Sequence, residues 1–450
     1  MITHQEVNKK IMRLALPMAA TQLMTNGSAF LCMAMLAKLG HDVLAASALI
    51  YSISLSAILS GASLLFSLSI LVGHAYGAKE YLNIGSLMQH AWLFALLMSV
   101  PFILFFWNIY PILIFFKQDP TIAHIVQEFF RAYIWRVAPI FLAICNQQFL
   151  YGTHKQKIDL FANILGIIVL LTSSYLLIFG KWGFPKLGVA GLAYAIAIQA
   201  WFYLFFTTAC MRFIDDFKCF SLFHNRLNQN WDSLRRLFKI GWPISLQISG
   251  ELLSFLVGSI FIGWLGTNPL AAYQVITQYN FLIVIPIFAI AQASGILIGQ
   301  AYGSKNFFEI RKLGQASVRV TTIIGTMAGL IFICFPKILS IPYLDIHNPA
   351  NQEVLHLIVV LFIVLAFAQC LDGIRNTLIG SLRGLLDTRA PMIIGLLTIW
   401  LIGIPLGYLL GFSFHLGAVG VMLGWTIGML TGAVILAYRW HNMTLKFMTH

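Results

Sequence analysis

EVLHLIVVLFIVLAF, residues 353–367, holds fifteen positions with almost no polarity, and AQCLDGIRN, residues 368–376, follows it directly. A helix rises 1.5 Å per residue, so ~20 apolar residues cross the ~30 Å hydrocarbon core of a bilayer. The first stretch alone nearly suffices. The second then places a carboxylate, Asp372, and a guanidinium, Arg375, inside the same segment. A charge in hydrocarbon costs a few kcal/mol or more, which makes it a functional candidate once the segment is shown to be a span.

Composition supports a span. Of the 450 residues, 59% are hydrophobic and 10% charged, with mean hydropathy +0.85. A soluble domain carries about 25% charge, so this chain lacks the surface to face water. In lipid each backbone group must be paired within the protein, so long apolar runs become helices. They are too continuous for the alternation of an outer-membrane strand. Twelve runs are predicted, near 11–36, 43–72, 86–109, 126–151, 158–179, 188–211, 238–264, 269–300, 314–334, 353–380, 391–412 and 417–438. Pro139, Pro286 and Pro405 are candidate kink points. The first run is too long for a signal peptide and shows no clear cleavage site.

The second half repeats the first. LALP with Pro17 returns as IGWP with Pro243, 226 residues later. At that offset Leu39-Gly40 matches Leu265-Gly266, and Ala75-Tyr76-Gly77 matches Ala301-Tyr302-Gly303. LGVAG at 187–191 returns as LGAVG at 416–420. Six helices per half give both halves one orientation. The expected fold is therefore an all-α membrane protein of twelve transmembrane helices, in two six-helix bundles related by a pseudo-two-fold axis along the membrane normal. Parallel repeats of this kind build secondary transporters, with cargo between the lobes. The expected division is an N-lobe over 1–211, a polar cytoplasmic linker over 212–237, and a C-lobe over 238–450.

Charge placement sets the orientation. With a cytoplasmic N-terminus, twenty of the 28 Lys and Arg residues fall on the cytoplasmic side, including Lys9, Lys155, Arg226, Arg383 and Arg389. Five, namely Lys38, Lys117, Lys181, Lys186 and Lys337, fall outside. Both termini are expected in the cytoplasm, with the chain multi-pass in the cell's inner membrane. The net charge of +13 is accounted for by this bias and by anionic headgroups, so no nucleic-acid partner is called for. The six cysteines form no CxxC pair, and neither a disulfide framework nor a metal site is indicated. No Walker A, HExxH or GxSxG sequence is present, and the twelve histidines are scattered. An enzyme is not expected, nor a cofactor.

QCLDGIRNTLIGSLRGLLDTRAP at 369–391, LALP in the first run, and IGWPISLQISGELL in the seventh resemble the multidrug and toxic compound extrusion (MATE) family, in its NorM-like branch. The resemblance covers nearly the whole chain. It implies an antiporter that exports amphipathic, often cationic or aromatic compounds in exchange for H⁺, with Na⁺ as the second choice. It also implies that Glu251 and Asp372 are the cation-coupling carboxylates of the seventh and tenth helices. Two positions depart from the family. The acid that sodium-linked members carry fifteen residues after the first proline is Cys32 here, and the fifth-helix acid of the DinF-like branch falls on Ser174.

Apart from Glu128, near the outer end of the fourth run, Glu251 and Asp372 are the acids assigned to membrane segments. Arg375 lies three residues after Asp372, where i,i+3 side chains face each other. Asp372 is therefore either a coupling acid or half of a structural salt bridge. Glu251, with no cation in its own helix, is the better expected proton carrier. Gln247, Tyr273, Gln274, Gln278, Asn280 and Asn376 complete the expected pocket with Arg375. Expected partners are small amphipathic or cationic compounds and membrane lipids, and a monomer is expected. A lipid-linked-precursor flippase of the same architecture is the alternative.

Overall fold

The computed structural model describes residues 4–223, 231–345 and 348–446. Among these, ten helices are long and apolar enough to cross a membrane. They are α2 (His41–Gly77), α3 (Tyr81–Trp107), α5 (Gln156–Phe179), α6 (Gly188–Phe213), α7 (Asp232–Trp264), α8 (Thr267–Gly303), α9 (Phe307–Cys334), α10 (Gln352–Gly384), α11 (Arg389–Ser413) and α12 (Gly417–Lys446). Two more, α1 (His4–Ala37) and α4 (Pro120–Gly152), have the length, with 34 and 33 residues, and complete the twelve. Every expected run lies within one of these helices to within about two residues. The helices extend further at their polar ends, because backbone pairing continues past the hydrocarbon boundary. Arg226 and residues 224–230 of the linker lie outside the described residues.

Local chemistry explains several boundaries. Asp119 caps α4, accepting from the Thr121 N–H at 2.7 Å, and Pro120 takes the first helical position, where its missing N–H costs nothing. Pro139 and Pro286 lie inside α4 and α8, and Pro17, Pro101 and Pro243 are also inside helices. Pro405 stands in a short α-helical turn between two π-helical segments of α11, Thr398–Gly403 and Leu409–Ser413. A proline offers no N–H to a regular ladder, and π-segments of this kind are frequent where helices meet function.

The backbone forms two compact units, residues 20–245 and residues 1–19 with 246–450. The divisions fall inside α1 and α7, whereas the lobes expected from sequence divide at the linker. The start of α7 belongs with residues 20–245. Ser245 donates to the Ser60 carbonyl at 2.7 Å, Ser67 donates to the Leu237 carbonyl at 3.2 Å, and a Cβ on Gly241 would lie 2.3 Å from the Leu64 carbonyl oxygen. The start of α1 belongs with the other unit, where Lys10 pairs with Glu309 at 2.7 Å. Sequence continuity marks the linker; packing marks the units.

In the unit of residues 20–245, the start of the linker is folded against the helices. Asp215–Phe220 forms a 3₁₀ turn whose Phe217 and Phe220 are buried, with Phe220 edge-on to Tyr81 and Phe149. Lys155 pairs with Asp216. In the other unit a core forms around Tyr273, Ile276, Phe332, Ile358, Leu361 and Phe362. There α8 and α10 approach closely through small residues: a Cβ on Gly380 would lie 2.1 Å from the Ala291 carbonyl oxygen, and one on Gly384 would lie 2.5 Å from that of Gly295. Small residues let helices touch where lipid supplies no hydrophobic drive. This crossing fixes α10, and α10 carries the charges. Large apolar side chains such as Phe30, Trp135, Phe205 and Leu401 remain exposed, as a hydrocarbon solvent requires.

Candidate cation-coupling site

The site lies in the unit of residues 1–19 and 246–450, on α7 and α10. Gln247 and Glu251 are one turn apart on α7, and the Gln247 amide donates to Glu251 Oε1 at 3.1 Å. On α10, Asp372, Arg375 and Arg383 share a stripe, since offsets of three and eleven residues return to nearly the same face at 100° per residue. Arg375 is the centre. Its Nη1 donates to Glu251 Oε1 at 2.8 Å and its Nη2 donates to Asp372 Oδ1 at 3.1 Å. Arg383 Nη2 donates to Gln247 Oε1 at 2.9 Å. Behind them, the Trp400 indole donates to the Gly250 carbonyl at 3.2 Å, tying α11 to α7.

The planar guanidinium explains the geometry: its fork presents donors in two directions, so one arginine serves two carboxylates on different helices. Glu251, expected to have no cation in its own helix, thus gains one from α10. Arg375 serves both, and its contact with Glu251 is the shorter. The side chain of Arg375 is 3% exposed, that of Asp372 11% and that of Glu251 19%. Glu251 is thus the carboxylate best reached from outside. Two carboxylates and two guanidiniums also balance. A buried pair of this quality resists removal of one partner, because that leaves an uncompensated charge.

A small cleft of about 10 Å³, room for about one water, is lined by Glu251, Ser254, Phe255, Arg375, Ile399, Trp425 and Met429. There an acid and a guanidinium stand beside aromatic and aliphatic side chains. The other expected pocket residues are distributed differently. Asn376 lies beside Asp372, close enough for their side chains to interact. Tyr273 is buried in the apolar core, with its side chain beside Thr277 and Ser259. Gln274 and Gln278 are exposed on α8, and Asn280 is half-buried. None of these four lines the cleft. Helical position alone does not separate a cleft face from an outer face.

Two residues were missed. Arg383 was read as a cytoplasmic flanking charge, because its approach to Gln247 spans 136 positions; its place on the Asp372 stripe was the available signal. Asp159 is absent from the expected membrane acids, although it is the second position of the predicted run 158–179. It is fully buried in the first turn of α5, and the intramembrane acids are therefore not confined to the second half. Glu128 is exposed. Cys32 and Ser174 do meet, with Sγ 3.9 Å from Oγ and both buried, so the two positions where the family carries acids are neutral neighbours here.

The sequence and fold have established relatives. The MatE family model matches residues 17–176 and 243–409, beginning each time at a repeat proline. The Probable multidrug resistance protein NorM of Synechocystis sp. is 30% identical over 438 residues, covering 97% of this chain and 95% of that protein. The Multidrug resistance protein NorM of Burkholderia vietnamiensis is 29% identical, covering 96% and 93%. Among solved structures, the Vibrio cholerae MATE transporter VcmN in its bent form superposes with TM-score 0.88 at 16% identity, covering 99% of this chain and 98% of that one. The eukaryotic MATE transporter AtDTX14 gives TM-score 0.85 at 20% identity, covering 99% and 98%. With the family model matched in both halves, a near-full-length relative at 30% identity and a shared twelve-helix fold, this chain belongs to the MatE family of multi-pass membrane transporters.

Proposed function

We propose that the protein is a secondary active multidrug efflux antiporter that exports amphipathic, often cationic or aromatic compounds in exchange for H⁺, by alternating access. The observation that carries this reading is Arg375 held between Glu251 and Asp372 at the wall of a partly apolar cleft. Charge accounting gives the exchange. With both acids ionised, the four buried charges cancel. A proton on Glu251, or a monocationic cargo beside it, adds one positive charge. Both together add two, and unit charges ~4 Å apart repel by about 4 kcal/mol at an effective dielectric of ~20. Proton and cargo therefore exclude each other by roughly a thousandfold, the minimum requirement for antiport.

Arg375 gives the exchange a mechanical output. A neutral Glu251 releases Nη1 and leaves the guanidinium to Asp372, loosening the tie between α7 and α10. Arg375 also occupies the place of a metal cation between the two carboxylates, which favours H⁺ over Na⁺ at this site. The names of the NorM relatives support the multidrug reading. The flippase alternative calls for a cationic cavity, and here the guanidiniums are balanced. On this reading the protein works as a monomer in the inner membrane with both termini cytoplasmic, and it requires no cofactor.

The test is efflux of a fluorescent cationic dye from proteoliposomes under a pH gradient or a Na⁺ gradient imposed separately. Glu251→Gln, which keeps shape but cannot ionise, is expected to abolish pH-driven efflux at normal expression, and Asp372→Asn to weaken it cargo by cargo. Wild-type rates from Glu251→Gln, or efflux that follows Na⁺ and ignores pH, overturn the proposal.

A further inference from the structure

Arg136 is a membrane-segment charge with no part in the site above. It stands at the midpoint of α4, equally far from Pro120 and Gly152 and about 24 Å from either end. It forms no ion pair among the described residues. Its partner is neutral: Nη1 donates to Tyr133 Oη at 2.7 Å, and the guanidinium lies over the Tyr133 ring, 5.2 Å from the centroid. Nε, which shares the side-on edge of the fork with Nη2, is buried without a hydrogen-bond partner. Tyr133 is itself wedged in an aromatic cluster, edge-on to Phe106 at 5.4 Å and to Phe130 at 5.5 Å, and those two rings stack at 4.7 Å. The guanidinium is therefore held in place with its charge uncancelled. Such a charge within a span asks for a partner.

Contacts elsewhere on α4 fix the face that Arg136 occupies. Gln147 of α4 and Thr21 of α1 both donate to the buried Asp159 carboxylate, at 3.2 Å each. The two helices thus turn those faces toward one point inside the unit of residues 20–245. They are three crossings apart and so run in opposite directions through the bilayer. Eleven residues on from Thr21 is Cys32, and eleven back from Gln147 is Arg136. Both steps lead the same way for about 16 Å, and both return to within about 20° of the starting face. Arg136 and Cys32 therefore stand at one depth, on the faces that α4 and α1 turn inward. Cys32 meets Ser174 there, and both are neutral. Asp159 is about 16 Å away and already bonded by Thr21, Gln147, Tyr151 and Tyr203. On α4 itself Glu128, Arg131 and Trp135 mark the exposed face, whereas Arg136 is half-buried.

We infer that Arg136 forms a carboxylate-binding subsite within residues 20–245, and that the cargo includes amphipathic compounds bearing one carboxylate. A carboxylate laid across the side-on edge accepts from Nε and Nη2 together, in the bidentate geometry that the two planar groups share. It supplies the missing charge and the missing acceptor in one group. Tyr133 keeps Nη1 and holds the guanidinium plane, so little order has to be created when the ligand arrives. One side-on edge matches one carboxylate and offers no second cation to the paired phosphates of a lipid-linked precursor. A lipid headgroup fits less well, because Arg136 lies at mid-helix and headgroups sit at the ends of a span. The subsite widens the cargo class from cations to compounds that also carry an acid. As a transport step it rests on the efflux reading; as a binding site it stands on Arg136.

The experiment is equilibrium binding of pyrenebutyrate, an amphipathic fluorescent carboxylate, to the purified full-length protein in neutral detergent at neutral pH, beside its uncharged methyl ester. The acid is expected to bind saturably, one per chain, and at least about tenfold tighter than the ester, as a charge-assisted pair of hydrogen bonds requires. Arg136→Gln should weaken the acid by at least about tenfold and leave the ester unchanged, so that the two bind alike. Unchanged ester binding also reports that the variant is folded. Arg136→Lys, which keeps the charge and loses the fork, should restore part of the difference. Glu251→Gln should keep the preference for the acid, so failure of pH-driven efflux and failure of this subsite are read separately. Phosphatidylglycerol added to the micelles should not displace the acid. A wild type that binds acid and ester alike, a preference that survives Arg136→Gln, or displacement by phosphatidylglycerol overturns the inference.

Discussion

Arg375→Met separates structural from merely decorative charge. The substitution keeps an unbranched side chain of similar reach and removes the guanidinium that meets Glu251 at 2.8 Å and Asp372 at 3.1 Å. Removing one partner of a buried pair typically costs about 3–5 kcal/mol, because the charge left behind stays buried. Here two carboxylates are left. Their side chains are 19% and 11% exposed, so water reaches Glu251 in part, and Arg383 remains nearby through Gln247. Both features argue for the lower end, ~3 kcal/mol, or about two orders of magnitude in the folded-to-unfolded ratio. Reversible unfolding in mixed micelles, followed by tryptophan fluorescence, measures the difference. The decisive control is the triple variant Glu251→Gln, Arg375→Met, Asp372→Asn. Replacing a whole buried ionic set with neutral groups is often close to neutral, so the triple variant should recover most of the loss. A cost below ~1 kcal/mol for Arg375→Met, or a triple variant no more stable than the single one, would refute the reasoning.

Further expectations concern packing and exposed charge. Gly380→Ala places a Cβ 2.1 Å from the Ala291 carbonyl oxygen, backbone that cannot step aside; it should cost at least ~1–3 kcal/mol and lower the yield of folded protein on size exclusion. Asp387→Asn removes the partner of Arg439, a 2.6 Å pair whose arginine is 41% exposed; unfolding should change by no more than ~1 kcal/mol, and less in high salt. Cys32→Ser replaces a weak contact to Ser174 by a possible O–H···O bond; stability should stay within ~1 kcal/mol, and dye efflux should remain near wild type. Efflux lost from a folded Cys32→Ser protein would make that position essential.

The sequence by itself determined the solvent, the helices and the repeat. Hydropathy and helical period are carried by neighbours in the chain, so runs such as 353–367 read directly as spans, and the offset between Pro17 and Pro243 reads as two copies of one unit. It also placed Glu251, Asp372 and Arg375 within helices, because a charge in an apolar run stands out wherever it falls. Tertiary structure alone decided who pairs with whom. Arg375 reaches Glu251 across 124 positions, and Asp159 gathers Thr21 and Tyr203 across 138 and 44. No local period encodes such distances. The chain shows which residues enter the membrane, whereas the packing of one helix face on another, set at the Gly380–Ala291 crossing, decides which charge is cancelled. That is why Glu251, read in sequence as having no cation in its own helix, shares an arginine with Asp372, and why Asp159 is a buried acid met by neutral donors.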